Sequence, residues 1–91
     1  MPETYFTVEL PDGGEKECYS PSSVVKKFFK KGEEMPVASF VARSREALAE
    51  ASERVRQKFG YSCTAAAAQL ADIEQSMRAY PPQATVRIKS I

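Results

Sequence analysis

The sequence contains no histidine and only two cysteines in 91 residues. Histidine is the commonest general base and the commonest metal ligand in proteins, so its absence removes most hydrolase and metalloenzyme mechanisms. Two cysteines cannot complete a tetrahedral zinc site within one chain. We therefore expect no metal and no other cofactor, and no residue is predicted to be catalytic on the strength of the sequence.

Long apolar runs and a large charge of one sign are lacking as well. No stretch approaches the roughly 20 apolar residues that a membrane-spanning helix needs, and the first residues lack the basic and apolar regions of a signal peptide. The net charge is +1, so bulk charge does not indicate a nucleic-acid or membrane partner. We expect a cytoplasmic protein whose cysteines stay reduced.

Strand patterns lie near both ends of the sequence. Thr4 to Leu10 alternates apolar and polar residues, which is typical of a half-buried strand. Pro11-Asp12-Gly13-Gly14 has turn chemistry, and Glu15 to Tyr19 would complete a hairpin. Thr85 to Ile91 alternates again. These segments predict a sheet of three strands.

Helical patterns fill the space between the strands. Ser20 and Pro21 fit the N-cap and first position of a short amphipathic helix that ends at Gly32. After a connection over residues 33–38, two longer helices occupy residues 39–80 and meet at Gly60, which suits the left-handed position after a helix. Ser62 is the predicted cap of the second of them.

The two longer helices carry apolar stripes at a helical period. The first stripe is Phe40, Val41, Ser44, Leu48, Ala51, Val55 and Phe59, and the second is Cys63, Ala66, Leu70, Ile73, Met77 and Tyr80. The predicted fold is a two-layer α+β domain spanning residues 1–91. Its three-stranded sheet is covered by an antiparallel helical hairpin plus one short helix, in the order β-β-α-α-α-β. Leu48 and Leu70 are expected in the core.

The two cysteines are candidate reactive thiols. Cys18 lies where a strand is followed by a helix N-terminus, a position that lowers thiol pKa values. An activated cysteine usually needs a neighbouring base, and no histidine is present to supply one. A small buried hydrophobe is therefore the favoured interpretation of Cys18, and the same two alternatives hold for Cys63. A Cys18–Cys63 bridge stays open, because the sequence does not fix the distance between them.

Two groups of basic residues are candidate anion sites. Lys26 to Lys31 encloses two phenylalanines, which would suit a phosphate backbone but is more typical of an amphipathic helix with its phenylalanines in the core. Arg43, Arg45 and Arg54 follow on one helix. If a site exists, we expect these arginines beside Tyr19, Ser20 and the first helical turn, where a carboxylate or phosphate would bind.

The arginines also have a simpler interpretation. Glu46, Glu50 and Glu53 are interspersed with them on the same helix, and Glu50 and Arg54 have the favourable order for an ion pair between residues four apart. A solvated face whose charges neutralise one another is the favoured interpretation.

Several stretches resemble a family of short bacterial nitrogen-starvation response proteins. They are Glu17-Cys18-Tyr19-Ser20-Pro21-Ser22, Val24-Val25-Lys26, Phe40 to Leu48, Ala51-Ser52-Glu53-Arg54-Val55-Arg56 and Lys58-Phe59-Gly60-Tyr61-Ser62-Cys63. Genes of that family lie in clusters with a nitrilase, a radical-SAM protein, an acetyltransferase and a flavoprotein. The resemblance implies a cytoplasmic accessory protein in nitrile or cyanide nitrogen assimilation, and it assigns no catalytic residue.

The sequence and the resemblance together favour a non-catalytic accessory or binding protein. Its expected partners are enzymes of the nitrilase cluster and a second copy of the chain in a symmetric homodimer. A small cysteine-dependent enzyme or redox-responsive protein using Cys18 is the alternative from another class. A nucleic-acid-binding regulator working through Lys26 to Lys31 is weaker.

Overall fold

The computed structural model of the protein describes residues 3–60 and 64–91. Its strands are β1 (Thr4–Glu9), β2 (Glu15–Ser20), β3 (Glu34–Pro36) and β4 (Thr85–Ser90), and its α-helices are α1 (Val37–Phe59) and α2 (Thr64–Met77). A 3-10 helix, Ser23–Lys27, lies between β2 and β3. The α+β class is confirmed, whereas the predicted three-stranded sheet is wrong, because these residues form a sheet of four strands.

The sheet has the order β2-β1-β4-β3, and all neighbouring strands are antiparallel. The β1–β2 hairpin is confirmed, with Phe6 opposite Cys18, and Gly13 in its turn has the positive φ of 89° that favours glycine. The additional strand, β3, lies in the segment that the sequence indicated as a connection. It is only three residues long and includes Pro36, so its identity as a strand comes from pairing with distant β4, where Met35 lies opposite Val86.

The predicted first α-helix is replaced by the 3-10 helix, and its cap is Ser22 rather than Ser20. The Ser22 hydroxyl accepts a hydrogen bond from the Val24 N–H at 3.3 Å. Ser20 cannot be the cap because it is the last residue of β2, opposite Thr4. Its hydroxyl instead donates to the Ser22 carbonyl at 2.7 Å. The two serines therefore fix the corner between β2 and the 3-10 helix.

The helices and the 3-10 helix pack on one face of the sheet, and the core lies between the two layers. Phe6 on β1 stacks on Phe29, which in turn lies against Phe40 on α1, with 5.5 Å between ring centroids in each pair. Phe29 is buried and Phe28 is half-buried, whereas the lysines around them are exposed. This agrees with the interpretation that phenylalanine packs into the core while the lysines face solvent. Leu48 is buried at 2% exposure, whereas Leu70 is only half-buried at the edge of the core.

The helical hairpin follows the predicted stripes over most of its length. α1 begins two residues earlier than predicted, and it ends at Gly60, whose φ of 81° and N–H bond to the Arg56 carbonyl confirm the expected C-cap. Phe59 departs from its stripe, since it is 51% exposed. The predicted cap Ser62 and the stripe residue Cys63 lie outside the described residues.

Ser44 is a buried residue of α1 whose hydroxyl has no hydrogen-bond partner among the described residues. A buried, unpaired hydroxyl lowers stability, and alanine also has a higher helix propensity than serine. We expect Ser44→Ala to raise the free energy of unfolding by about 1 kcal/mol, measured by urea denaturation. Ser52→Ala is the control, at a half-buried position of the same helix. Its stability is expected to gain only from the higher helix propensity of alanine. An equal gain in both variants would contradict the role assigned to the buried hydroxyl.

Candidate functional site

Cys18 lies on the inner face of β2, in the core. Its side chain is 1% exposed, and the structure records it as a free thiol. Burial raises the pKa of the Cys18 thiol to about 12, although Lys16 nearby acts in the opposite direction. Lys16 itself is bound to Asp72 on α2 at 2.5 Å. The thiol is therefore protonated at neutral pH, and this arrangement favours the buried hydrophobe over the nucleophile.

Cys18 is accordingly expected to react slowly with a thiol reagent while the protein is folded. The experiment uses Cys63→Ser, so that Cys18 is the only thiol, and compares alkylation by iodoacetamide at pH 8 with and without urea. We expect alkylation to accelerate by at least about 100-fold on unfolding. In the folded protein the fraction of Cys18 present as thiolate is low, and the sulfur is not accessible to the reagent. Equal rates in both conditions would show that Cys18 is an accessible, activated thiol.

The three candidate arginines each pair with a carboxylate, and the three carboxylates belong to different parts of the structure. Arg43 bonds Glu33 at 2.6 Å, Arg45 bonds Glu74 on α2 at 2.7 Å, and Arg54 lies 3.8 Å from Glu50 on its own helix. Of the pairings considered from the sequence, Arg54 with Glu50 is present, while Glu33 and Glu74 come from other elements.

Arg43, which pairs with Glu33, also contacts the residue that follows the 3-10 helix. Arg43 also donates to the Phe28 carbonyl at 3.4 Å, and its hydrogen bond to Glu33 holds the pKa of that carboxyl below its ordinary value. This guanidinium therefore fastens the chain after the 3-10 helix to α1. The tethering explains Arg43 without a ligand.

Tyr19 and Ser20 lie at the end of β2 and take different roles. The Ser20 hydroxyl is buried in its bond to Ser22, and the Tyr19 N–H donates to the Gln69 side chain of α2 at 3.0 Å. The Tyr19 side chain faces away from the core and packs against Tyr5, with 5.6 Å between ring centroids. Ligand binding by the set of Tyr19, Ser20, Arg43, Arg45 and Arg54 stays a prediction.

The second face of the sheet is a feature that single sequence motifs do not reveal. Alternation along the strands directs ten side chains away from the helices: Tyr5, Thr7, Glu9, Glu15, Glu17, Tyr19, Glu34, Thr85, Arg87 and Lys89. We call these residues the open face, because no helix within residues 3–60 and 64–91 covers them. Tyr5, near the start of β1, is 56% exposed, which is a large exposed fraction for an aromatic side chain within a paired strand.

The open face is acidic overall. It carries four carboxylates and two cationic side chains, in a chain whose net charge is +1. Lys89 bonds Glu15 across β1, and Arg87 lies between Glu9 and Glu34 in the strand register. Glu17, beside the tyrosine pair, makes no ion pair with any residue that the structure describes. The face therefore combines an aromatic pair with an acidic surround.

Each edge of the sheet has a feature that opposes strand pairing. β3 is three residues long and ends at Pro36, which has no N–H to donate. On β2, the Tyr19 N–H is already bonded to Gln69. These features oppose strand pairing between chains, so the homodimer loses its simplest route and stays a prediction. A light-scattering mass of two chains over a broad concentration range would support it.

The described residues contain no cluster of three or more potential metal-ligating side chains. No helix within them has the combination of length and apolar character that would let it cross a membrane. The four lysines between Lys26 and Lys31 are exposed, and one of them, Lys27, bonds Glu50 at 3.0 Å.

Comparison with known proteins identifies one family. The model of the family described as nitrogen starvation-induced protein NitG matches residues 5–91. No curated protein and no solved structure matches the chain.

Proposed function

We propose that this chain, which belongs to the NitG family of nitrogen starvation-induced proteins, is a non-catalytic accessory protein that binds an enzyme through the open face. The observation that carries the proposal is the tyrosine pair on an uncovered, acidic sheet face, in which Tyr5 is exposed and Tyr19 is half-buried. The proposed partner is an enzyme of nitrile or cyanide nitrogen assimilation, in keeping with the gene clusters of the family that the sequence resembles.

The composition of the open face supports protein binding. Tyrosine is enriched among the residues that dominate interface energies, because its ring offers a large contact area and loses few rotamers on binding. Tyr5 and Tyr19 belong to paired strands, so the backbone holds their rings in place. A rigid aromatic pair surrounded by charged side chains has the general organisation of an interface core and rim.

The charge of the open face favours a partner with a basic surface. Glu17 lies two residues from Tyr19 on the same strand, and therefore on the same face. A lysine or arginine of the partner could pair with this carboxylate while an apolar depression receives Tyr5. Such complementarity contributes to the association rate and to the choice of partner.

The competing functions have less support. The Cys18 thiol is buried and its pKa is raised to about 12, which does not suit an enzyme that uses it as a nucleophile or a redox sensor that must be accessible. The lysines from Lys26 to Lys31 are the basis of the nucleic-acid alternative, but they are only four in number and the open face of the sheet is acidic.

The proposal is tested by co-purification from nitrogen-starved cells with the tagged protein as bait. Wild type is expected to retain an enzyme of the cluster at a defined stoichiometry, whereas Tyr5→Ala and Glu17→Lys are expected to weaken retention by at least about tenfold, as loss of an interface anchor or of a charge pair does. The partner identified by mass spectrometry is then titrated with each purified variant.

Matched controls separate the open face from general surface effects. Phe59→Ala removes an aromatic that is 51% exposed at the end of α1, and Glu46→Lys reverses an exposed charge on α1. Both controls are expected to retain the enzyme as wild type does. If Tyr5→Ala and Glu17→Lys also bind like wild type, the open face is not the interface.

A further inference from the structure

A cavity of about 350 Å³ lies between the first turn of α1 and the last turn of α2. This volume is at the lower end of the range for small-molecule sites. The apolar part of its wall comprises Val37, Ala38, Val41, Met77 and Pro82. None of the residues lining the cavity belongs to the open face, so a ligand here would be independent of the proposed enzyme interface.

The polar groups around the cavity differ in whether they already have partners. Arg45 and Glu74 bond each other at 2.7 Å and together contribute no net charge. The Tyr80 hydroxyl donates to Asp12 in the β1–β2 turn at 2.9 Å. Arg78 also lines the cavity, and within residues 3–60 and 64–91 no carboxylate bonds its guanidinium. Among the residues that line the cavity, Arg78 is therefore the one charged side chain that is not ion-paired within the described part of the chain, and it lies beside an apolar wall.

Two backbone N–H groups at the start of α1 are already bonded. The Val37 N–H donates to the Ala84 carbonyl at 2.7 Å, and the Ala38 N–H donates to the Pro82 carbonyl at 3.0 Å. These two bonds hold the segment before β4 against the helix. The charged group that remains to recognise an anionic ligand is the Arg78 side chain.

We propose that this cavity binds a small monocarboxylate with a compact apolar body. A guanidinium can accept a carboxylate through two parallel hydrogen bonds, and one carboxylate matches the single charge of Arg78. The apolar body would lie against Val41 and Met77, where it displaces water from apolar surface. A phosphate would lack partners, since only one guanidinium is uncommitted and the wall is apolar.

The probes are benzoate and hexanoate, with benzamide and hexanamide as neutral analogues of the same shape. Binding is followed by the amide resonances of Val41 and Met77 in heteronuclear NMR spectra. We expect the two carboxylates to bind with a dissociation constant of about 1 mM, given their size and the openness of the site. Acetate, inorganic phosphate and the two amides are expected to bind at least about tenfold more weakly, because each lacks either the charge match or the apolar body.

Three variants assign the binding to the cavity. Arg78→Gln is expected to weaken benzoate binding by about 10–100-fold, the usual effect of losing hydrogen bonds to a charged group. Ala38→Leu leaves Arg78 intact but fills part of the cavity, and it is expected to weaken binding as well. Arg56→Gln removes the same charge from an exposed position outside the cavity, and its affinity is expected to match wild type.

The results that would overturn the proposal are equally specific. Benzoate binding that survives Arg78→Gln, benzamide binding as tight as benzoate, or no resonance shift with either carboxylate at 10 mM would each rule it out. Tyr5→Ala is expected to leave benzoate binding unchanged, so a failure at the open face and a failure at the cavity are distinguishable.

Discussion

Replacing Phe29 by alanine is expected to lower the free energy of unfolding by about 3–5 kcal/mol. Its ring lies between Phe6 on β1 and Phe40 on α1, with 5.5 Å to each ring centroid, so its loss leaves a cavity bordered by both layers. Phe29 also anchors the chain after the 3-10 helix to the core. Small domains have a total stability of about 5–15 kcal/mol, so the variant should be largely unfolded in moderate urea.

Phe28→Ala is the matched control, because Phe28 is the adjacent phenylalanine and is only half-buried. We expect its loss of stability to be less than half that of Phe29→Ala, since much of its ring is in contact with water in the folded protein. Urea denaturation monitored by circular dichroism gives both values. Similar losses at the two positions would show that the stacked phenylalanines are not the centre of the core.

Leu48→Ala is expected to lower the free energy of unfolding by about 2–5 kcal/mol. Leu48 is 2% exposed, lies in the middle of α1 and belongs to the buried core. Protein interiors are close-packed, so the neighbouring side chains can fill only part of the space that a leucine leaves. The resulting cavity adds to the lost transfer free energy.

Leu70→Ala provides the comparison for Leu48→Ala. The sequence places both leucines at the centres of their stripes, and both line a groove between the helices, but Leu70 is only half-buried whereas Leu48 is 2% exposed. We expect a loss of about 1–2 kcal/mol for Leu70→Ala, in proportion to the smaller apolar area that leaves water. Chemical denaturation of the two variants tests the ranking, and an equal or larger loss at Leu70 would contradict the burial difference.

Local patterns were sufficient for most of the secondary structure. The alternation from Phe6 to Leu10 and from Val86 to Ile88 reflects a strand with one buried face, which is visible in a few consecutive residues. Gly60 ends α1 for a reason that is also local, since glycine adopts a positive φ without strain. Secondary structure that depends on neighbours along the chain could therefore be predicted.

Two of the errors in secondary structure fall where a distant partner decides the conformation. Pro36 and the two residues before it form a strand only because β4 pairs with them. Ser20 has the chemistry of a helix cap, but its backbone is paired with Thr4, which leaves Ser22 to cap the 3-10 helix. In both cases hydrogen bonds to a remote strand outweigh a local preference.

The candidate sites show the same division. The sequence favoured Cys18 as a small buried hydrophobe because no histidine could activate it, whereas its 1% exposure and raised pKa depend on the layer packed above it. Arg45 could be identified as exposed and basic, whereas its partner Glu74 comes from another helix. Alternation placed Tyr5 on the opposite face from Phe6, and only the packed structure leaves that face uncovered.

The sequence by itself determined the family, the α+β class, the helical hairpin and the inward-facing side of each long strand. Those properties depend on residue identity and on periods of two or 3.6 residues, which neighbours along the chain express directly. Only the tertiary structure decided the four-strand order, the pairing of the arginines, the uncovered acidic face and the cavity beside Arg78. These depend on which distant segments meet, because the contacts that decide them are made between elements and not within them.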